Sequence, residues 1–274
     1  MHRLTLTTAT VALATLISSA SAAAQQHDHD HPPTLHVNPR WRECSFQLAP
    51  SLSRDAWRQF TREAGLVTYF RPLADARPMG KGKFEVSAVQ WQTAIDHHDD
   101  AWNDTFVHPD STHYLFDGSR LPIPGLMVRA GVGEKTDVGL YVTKNPGANY
   151  GFVGGQVQRS LVGGASHEWA AAVRASFTSL YGPEDLDFAV IGWDVVASRE
   201  IRLTKWAALS PYAGVSSYLA RAHEKSAVVD LKDEYEGGSQ VMVGTTLQVS
   251  GVRLAMEYNR ASVNSVSFKV GFGR

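Results

Sequence analysis

An all-β fold, an antiparallel up-and-down transmembrane β-barrel of about ten strands, is predicted by three observations. Segments of roughly ten residues alternate apolar and polar positions, connections between them alternate long and short, and the first residues read as an export signal. The alternation is clearest at the end of the sequence. Val241, Val243, Leu247 and Val249 alternate with Gln240, Met242, Gly244, Thr246 and Gln248; Val252, Leu254, Met256 and Tyr258 alternate with Arg253, Ala255, Glu257 and Asn259; Val266, Phe268, Val270 and Phe272 alternate with Ser265, Ser267, Lys269 and Gly271. Apolar residues at every second position make one face of a strand and cannot make one face of a helix.

The N-terminus has a short basic region, Met1-His2-Arg3, then a small-apolar stretch around Val11 to Ile17 and small-residue cleavage sites at Ala20-Ser21-Ala22 or Ala22-Ala23-Ala24. This is the pattern of a secretory signal peptide over residues 1–24, too weakly apolar to span a membrane as an anchor helix. The single cysteine, Cys44, excludes an internal disulfide framework, and its distance from the cleavage site argues against a lipoprotein. The 274 residues carry a formal net charge of −1, so no electrostatic argument favours nucleic acid.

Residues 25–50 begin with Gln25-Gln26-His27-Asp28-His29-Asp30-His31-Pro32-Pro33, a polar tract that reads as a disordered, His-rich tail. Alternating imidazoles and carboxylates bind divalent transition metals weakly, but with no scaffold a solvated tail is the simpler reading. Over residues 51–77 the pattern turns helical: Leu52, Ala56, Phe60 and Ala64 recur every fourth residue beside Trp57, with Gly65 at the C-cap position and Arg54, Arg58 and Arg62 as a second stripe. That amphipathic helix is expected as a periplasmic helical or linker segment lying on the membrane interface or against a barrel mouth. Leu66 to Phe70 is a short apolar run and a candidate strand, and Pro72 and Pro78 interrupt the chain before the barrel.

The barrel is expected over residues 78–274. Phe84, Val86 and Ala88 alternate with Glu85 and Ser87; Leu126, Val128, Ala130 and Val132 with Met127, Arg129 and Gly131; Val138, Leu140 and Val142 with Gly139 and Tyr141. A weaker strand lies near Val153 and Val157, and clearer ones at 169–178, 189–195 and 209–219. Counting from Phe84, two of the odd-numbered connections, residues 96–121 and 223–238, are far longer than any even-numbered one, such as Ser250-Gly251. Long loops at one end and tight turns at the other mark a membrane barrel with periplasmic termini.

Pro78-Met79-Gly80-Lys81-Gly82-Lys83-Phe84-Glu85-Val86 resembles the entry into the first strand of bacterial outer-membrane β-barrel proteins, particularly small channel or porin-like ones. Val266, Val270, Phe268 and Phe272 resemble that family's closing strand, an assembly signal ending on an aromatic; here Gly273-Arg274 follow it. The resemblance implies outer-membrane lipid and the barrel-assembly machinery as partners, and either a narrow or gated passage for small solutes or a structural envelope role. No cofactor, no metal site and no enzymatic activity are expected, with an outer-membrane hydrolase as the minority reading.

With the apolar parity toward lipid, the lumen would hold Glu85, Arg129, Arg174, Asp194, Arg253, Glu257 and Lys269. Charges of both signs in a narrow tube should pair, Lys269 with Glu257 on the preceding strand and with Glu85 on closure. About eight strands leave a lumen filled by side chains, while open channels need about 16 to 18, so a wide pore is disfavoured. Two other readings stand beside this one. A soluble periplasmic barrel binding an apolar ligand would turn Leu254, Phe268 and Val270 inward. An outer-membrane hydrolase would use a rim site at Asp96-His97-His98-Asp99-Asp100, with Asp104, His108, Asp110 and His113 in the same loop, histidine acting as general base beside a carboxylate. The same loop could hold a divalent cation.

Overall fold

The computed structural model describes residues 45–96, 98–107, 120–144, 147–163 and 168–273. In chain order the elements are β1 (Ser45–Phe46), α1 (Arg54–Val67), β2 (Phe84–Ala94), α2 (Asp100–Asn103), β3 (Phe106–Val107), β4 (Arg120–Gly131), β5 (Thr136–Lys144), β6 (Gly151–Val162), β7 (Trp169–Tyr181), β8 (Leu186–Arg199), β9 (Ile201–Arg202), β10 (Ala207–Glu224), β11 (Glu234–Val249), β12 (Val252–Arg260) and β13 (Ser265–Gly273). Ten long strands, each antiparallel to its neighbours, close into a barrel, with the two-residue β9 appended to β10. The seam is the pairing of β13 with β2, where Val270 lies opposite Ala88 and Gly273 opposite Glu85. The signal-peptide segment, residues 25–44 of the tail with Cys44, and His97, His108, Asp110 and His113 lie outside the described residues, while Ser45–Phe46 at the end of the expected tail form a strand.

The two parities divide as their chemistry requires. Leu126 is 59% exposed, Leu140 67% and Trp169 62%, whereas Glu85 is 1% and Lys269 2% exposed. Leu254 and Phe268 face outward, the reverse of what a soluble ligand-binding barrel needs. Aromatic residues mark both edges of the apolar belt: Phe84, Trp169, Trp206 and Phe272 toward the short-turn end, Tyr181, Tyr235 and Tyr258 toward the other. Such girdles are characteristic of transmembrane barrels. Among the described residues no helix is long and apolar enough to cross a membrane.

The short-turn end is built from turns such as Ser250-Gly251, where Ser250 takes the left-handed conformation at φ 54°. The opposite end carries the long connections, and there β10 and β11 run to 18 and 16 residues. Those lengths exceed the roughly 9–11 residues a tilted strand needs to cross a bilayer. The excess forms a raised wall on one side of the mouth.

Helix α1 corrects the sequence reading in position and extent. Ser53 caps its start by accepting the Ala56 N–H at 3.2 Å, and the helix runs through Gly65 to Val67, where Thr68 donates its N–H to the Ala64 carbonyl. Gly65 is therefore inside the helix and does not cap it. A Cβ there would come within 2.5 Å of the Tyr218 ring, so glycine is required by close approach to the wall. Of the two expected placements, the membrane interface and a barrel mouth, the helix takes a mouth, at the end opposite the short turns. Its apolar face, with Trp57, Phe60, Ala64, Leu66 and Val67 buried, packs inside the mouth against β10 and β11 at the long-connection end. Two of the three stripe arginines meet protein: Arg54 pairs with Glu234 at 2.9 Å and Arg58 with Glu236 at 3.4 Å.

An aromatic cluster completes this upper core. Trp57 stacks on Phe60, Phe60 meets Trp102 edge to face, and Phe46 packs on Phe106 and Tyr150. β1 pairs with β3, and Asp99 and Trp102 of the same connection pack on the helix through Gln59 and Phe60. Leu66 to Phe70, a candidate strand, is instead the last helical turn and the start of a descent through the barrel.

Candidate functional site

The lumen is occupied by the chain itself. From Thr68 to Met79 the backbone descends from the mouth to the short-turn end, then turns at Gly80 and Gly82, at φ 88° and 80°, into β2. A segment with Pro72 and Pro78 lacks the full set of N–H groups a strand ladder needs, so its polar groups must be met by side chains. The lumen wall supplies them. Arg174 donates to the Ala74 carbonyl at 2.6 Å and the Asp75 carbonyl at 3.2 Å, and to Gln158 at 2.8 Å. Ser160 donates to the Ala76 carbonyl at 2.9 Å, while the Ala76 N–H donates to Ser198 at 3.1 Å. The Met79 N–H donates to the Asp137 carboxylate at 3.1 Å, and Lys269 donates to the Pro72 carbonyl at 3.2 Å.

Side chains of the segment reach the wall in turn. Tyr69 donates its hydroxyl to Asp194 at 2.5 Å. Arg71 donates to the Leu66 carbonyl at 2.5 Å and Ser265 at 3.1 Å, with its guanidinium 5.7 Å from the centre of the Trp91 ring. Asp75 accepts from Thr246 at 3.1 Å, and Arg77 donates to Ser210 at 2.9 Å and forms an ion pair with Glu200.

Of the seven lumen residues read from the sequence, six are buried inside: Glu85, Arg129, Arg174, Asp194, Glu257 and Lys269. Arg253 reaches in from the short-turn end and keeps its side chain 25% exposed. Glu85 gathers Lys269 at 2.8 Å and Arg253 at 2.7 Å, and Arg129 lies 3.4 Å from Asp137. The pairing of Lys269 with Glu85 is present. Glu257 instead accepts from Tyr212 at 2.9 Å and from Asn259 at 2.9 Å, so no ion pair is drawn between it and Lys269. A cavity of about 780 Å³ remains at the short-turn end, lined by Arg77, Lys83, Glu85, Arg129 and Arg253 among others.

Sequence reasoning missed Asp137 and every residue of the descending segment. The signal was present in Arg71-Pro72-Leu73-Ala74-Asp75-Ala76-Arg77-Pro78: opposite charges on a proline-bounded stretch with no apolar parity, beside a lumen full of charges needing partners. Wall glycines carry the same message. A Cβ on Gly192 would sit 2.4 Å from the Tyr69 ring, and one on Gly154 would sit 3.0 Å from Phe70. A Gly192→Leu variant is expected to lose about 1–3 kcal/mol through overpacking. Its urea midpoint for loss of the folded barrel should fall, while Val195→Leu, on the lipid face of the same strand, should leave that midpoint unchanged.

Three acidic residues of the expected rim site, Asp96, Asp99 and Asp104, have local structural duties. Asp99 caps α2, accepting from the Ala101 N–H at 3.0 Å, and takes a second bond from Gln59 at 2.9 Å. Asp96 accepts from the His98 N–H, and Asp104 from the Ser51 hydroxyl. Among the described residues no three metal-ligating side chains converge. A different histidine is paired at this rim: His223 Nδ1 lies 2.5 Å from Asp233, which also accepts from Arg221 at 2.8 Å. The bonds from Arg221 and His223 hold the Asp233 carboxyl below the usual carboxylate range.

A closed antiparallel barrel with an apolar outer belt, aromatic girdles and a polar interior is a β-barrel of the bacterial outer-membrane kind. No protein-family model matches the chain, and no curated protein does. Solved structures similar to it include the β domain of the Bordetella autotransporter BrkA (12% identity, 71% of this chain and 98% of that one, TM-score 0.38). LpxR from Salmonella typhimurium (8%, 70% and 99%, 0.36) and the attachment invasion locus protein Ail of Yersinia pestis (12%, 71% and 99%, 0.32) are others. At these identities and scores, no residue role passes from them to this chain.

Proposed function

We propose that this protein is a sealed structural barrel of the bacterial outer membrane, held shut by its own N-terminal segment. The observation that carries the reading is the path of residues 68–79: the lumen, for which either a narrow passage or a purely structural filling was expected, contains backbone bonded to the wall from Pro72 to Met79. Outer-membrane lipid would cover the apolar belt. The barrel-assembly machinery would read the closing strand β13, and export would proceed through a cleaved signal peptide.

A barrel closed in this way should conduct nothing. In planar bilayers the purified full-length chain is expected to give no discrete current steps at voltages where porins conduct. Steps of reproducible size would overturn the sealed reading and favour a gated pathway past residues 68–79. The hydrolase reading gains nothing from Asp96, Asp99 and Asp104, each of which accepts a hydrogen bond within the mouth.

A further inference from the structure

The direction in which the chain crosses the lumen has a topological result. β13 ends with Gly273 at the short-turn end, and β2 begins there at Phe84. Residues 68–79 cross back to the other end, where Ser45–Phe46 pair with Phe106–Val107 of the long loop between β2 and β4. Phe46 is fixed there further: its N–H donates to Asn149 at 2.9 Å, and the Asn149 amide donates back to the Phe46 carbonyl at 2.7 Å. Ser45 and Gly273 therefore leave the barrel at opposite ends, although an even number of strands places the two ends of the barrel proper together.

We infer that the part of the chain preceding Ser45 is displayed on the outer surface of the cell while the closing strand ends in the periplasm. The inference rests on the outer-membrane reading above, in which the long-connection end faces outward and the tight turns face the periplasm. It makes the barrel a holder that carries its own N-terminal region across the membrane. Two features suit that task. The crossing segment is clamped at several heights, by Tyr69 to Asp194, by Arg174 to Ala74 and Asp75, and by Asp137 to Met79. The stretch around His27, Asp28, His29, Asp30 and His31 is polar, with no apolar parity to hold it in lipid.

The test uses full-length protein in intact cells, with Cys44→Ser as background and one new cysteine at a time: His31→Cys before the crossing, Ala227→Cys in the long connection and Lys205→Cys at the short-turn end. Exposed to a membrane-impermeant maleimide, His31→Cys and Ala227→Cys are expected to react in intact cells, and Lys205→Cys only after the outer membrane is opened. Should His31→Cys react only in opened cells, or in neither, while Ala227→Cys reacts in intact ones, the display inference fails and the barrel reading stands. If the protein is missing from the outer-membrane fraction, or Lys205→Cys reacts while Ala227→Cys is protected, the membrane reading fails and the inference with it.

Discussion

Replacing Glu85 with glutamine is expected to cost the barrel about 3–5 kcal/mol, the usual penalty for removing one partner of a buried ion pair. The carboxylate is 1% exposed and is held by Lys269, whose side chain is fully buried, and by Arg253 from the short-turn end. Glutamine keeps the volume but removes the charge that makes two inward cations tolerable. Lys269 would then retain the neutral Pro72 carbonyl as its partner, while Arg253 could turn to water. The loss is one of compensation more than of attraction, so a second substitution should reverse much of it. Glu85→Gln with Lys269→Met removes both charges at nearly constant volume, and such replacements are often neutral or stabilising. The measurement is the urea midpoint of the folded barrel in lipid vesicles, followed by its migration without boiling. A single variant within about 1 kcal/mol of the parent, or a double variant no better than the single, would show that the pair does not hold the seam.

The strands could be read from the sequence because a barrel wall in lipid imposes a strict condition on each residue. Leu140, Val142, Leu126 and Val128 must be apolar whatever their neighbours, so periodicity alone places them. The same condition identified Glu85, Arg129, Arg174, Asp194, Glu257 and Lys269 as inward. It could not say what they meet. Partners such as the Ala74 carbonyl and the Pro72 carbonyl are backbone atoms of a segment with no regular period, and backbone carries no compositional signal. Helix α1 misled for a related reason. An amphipathic stripe with Arg54 and Arg58 looks the same whether its cations face lipid headgroups or Glu234 and Glu236, and only the fold chooses between them. Gly65 was ambiguous too: a glycine near the end of a helical pattern signals a cap or a close approach, and here the Tyr218 ring decides.

The second large effect is expected at the mouth, with Trp57→Ala. The indole is fully buried, stacks on Phe60 at 5.6 Å between centroids, and donates its N–H to the Lys232 carbonyl at 3.3 Å. Truncating a buried tryptophan costs about 3–5 kcal/mol. Here the cost should fall locally, because α1 is tied to the barrel through β10, β11 and the α2 loop and is not part of the hydrogen-bonded wall. The variant is therefore expected to retain the heat-dependent gel shift of a closed barrel while added protease cuts within α1, at Arg58 or Arg62, from the long-connection side. Conductance separates the two layers of the seal. Trp57→Ala loosens the aromatic layer but leaves Arg174, Ser160, Ser198 and Asp137 bonded to residues 74–79. It should therefore still pass no current, whereas combining it with Arg174→Ala removes a clamp from the lower layer and should admit transient openings. If Trp57→Ala alone conducts, the polar clamps do not close the lumen and the helix is the whole gate. If the barrel unfolds as a unit instead of losing α1 first, the mouth and the wall form one cooperative structure.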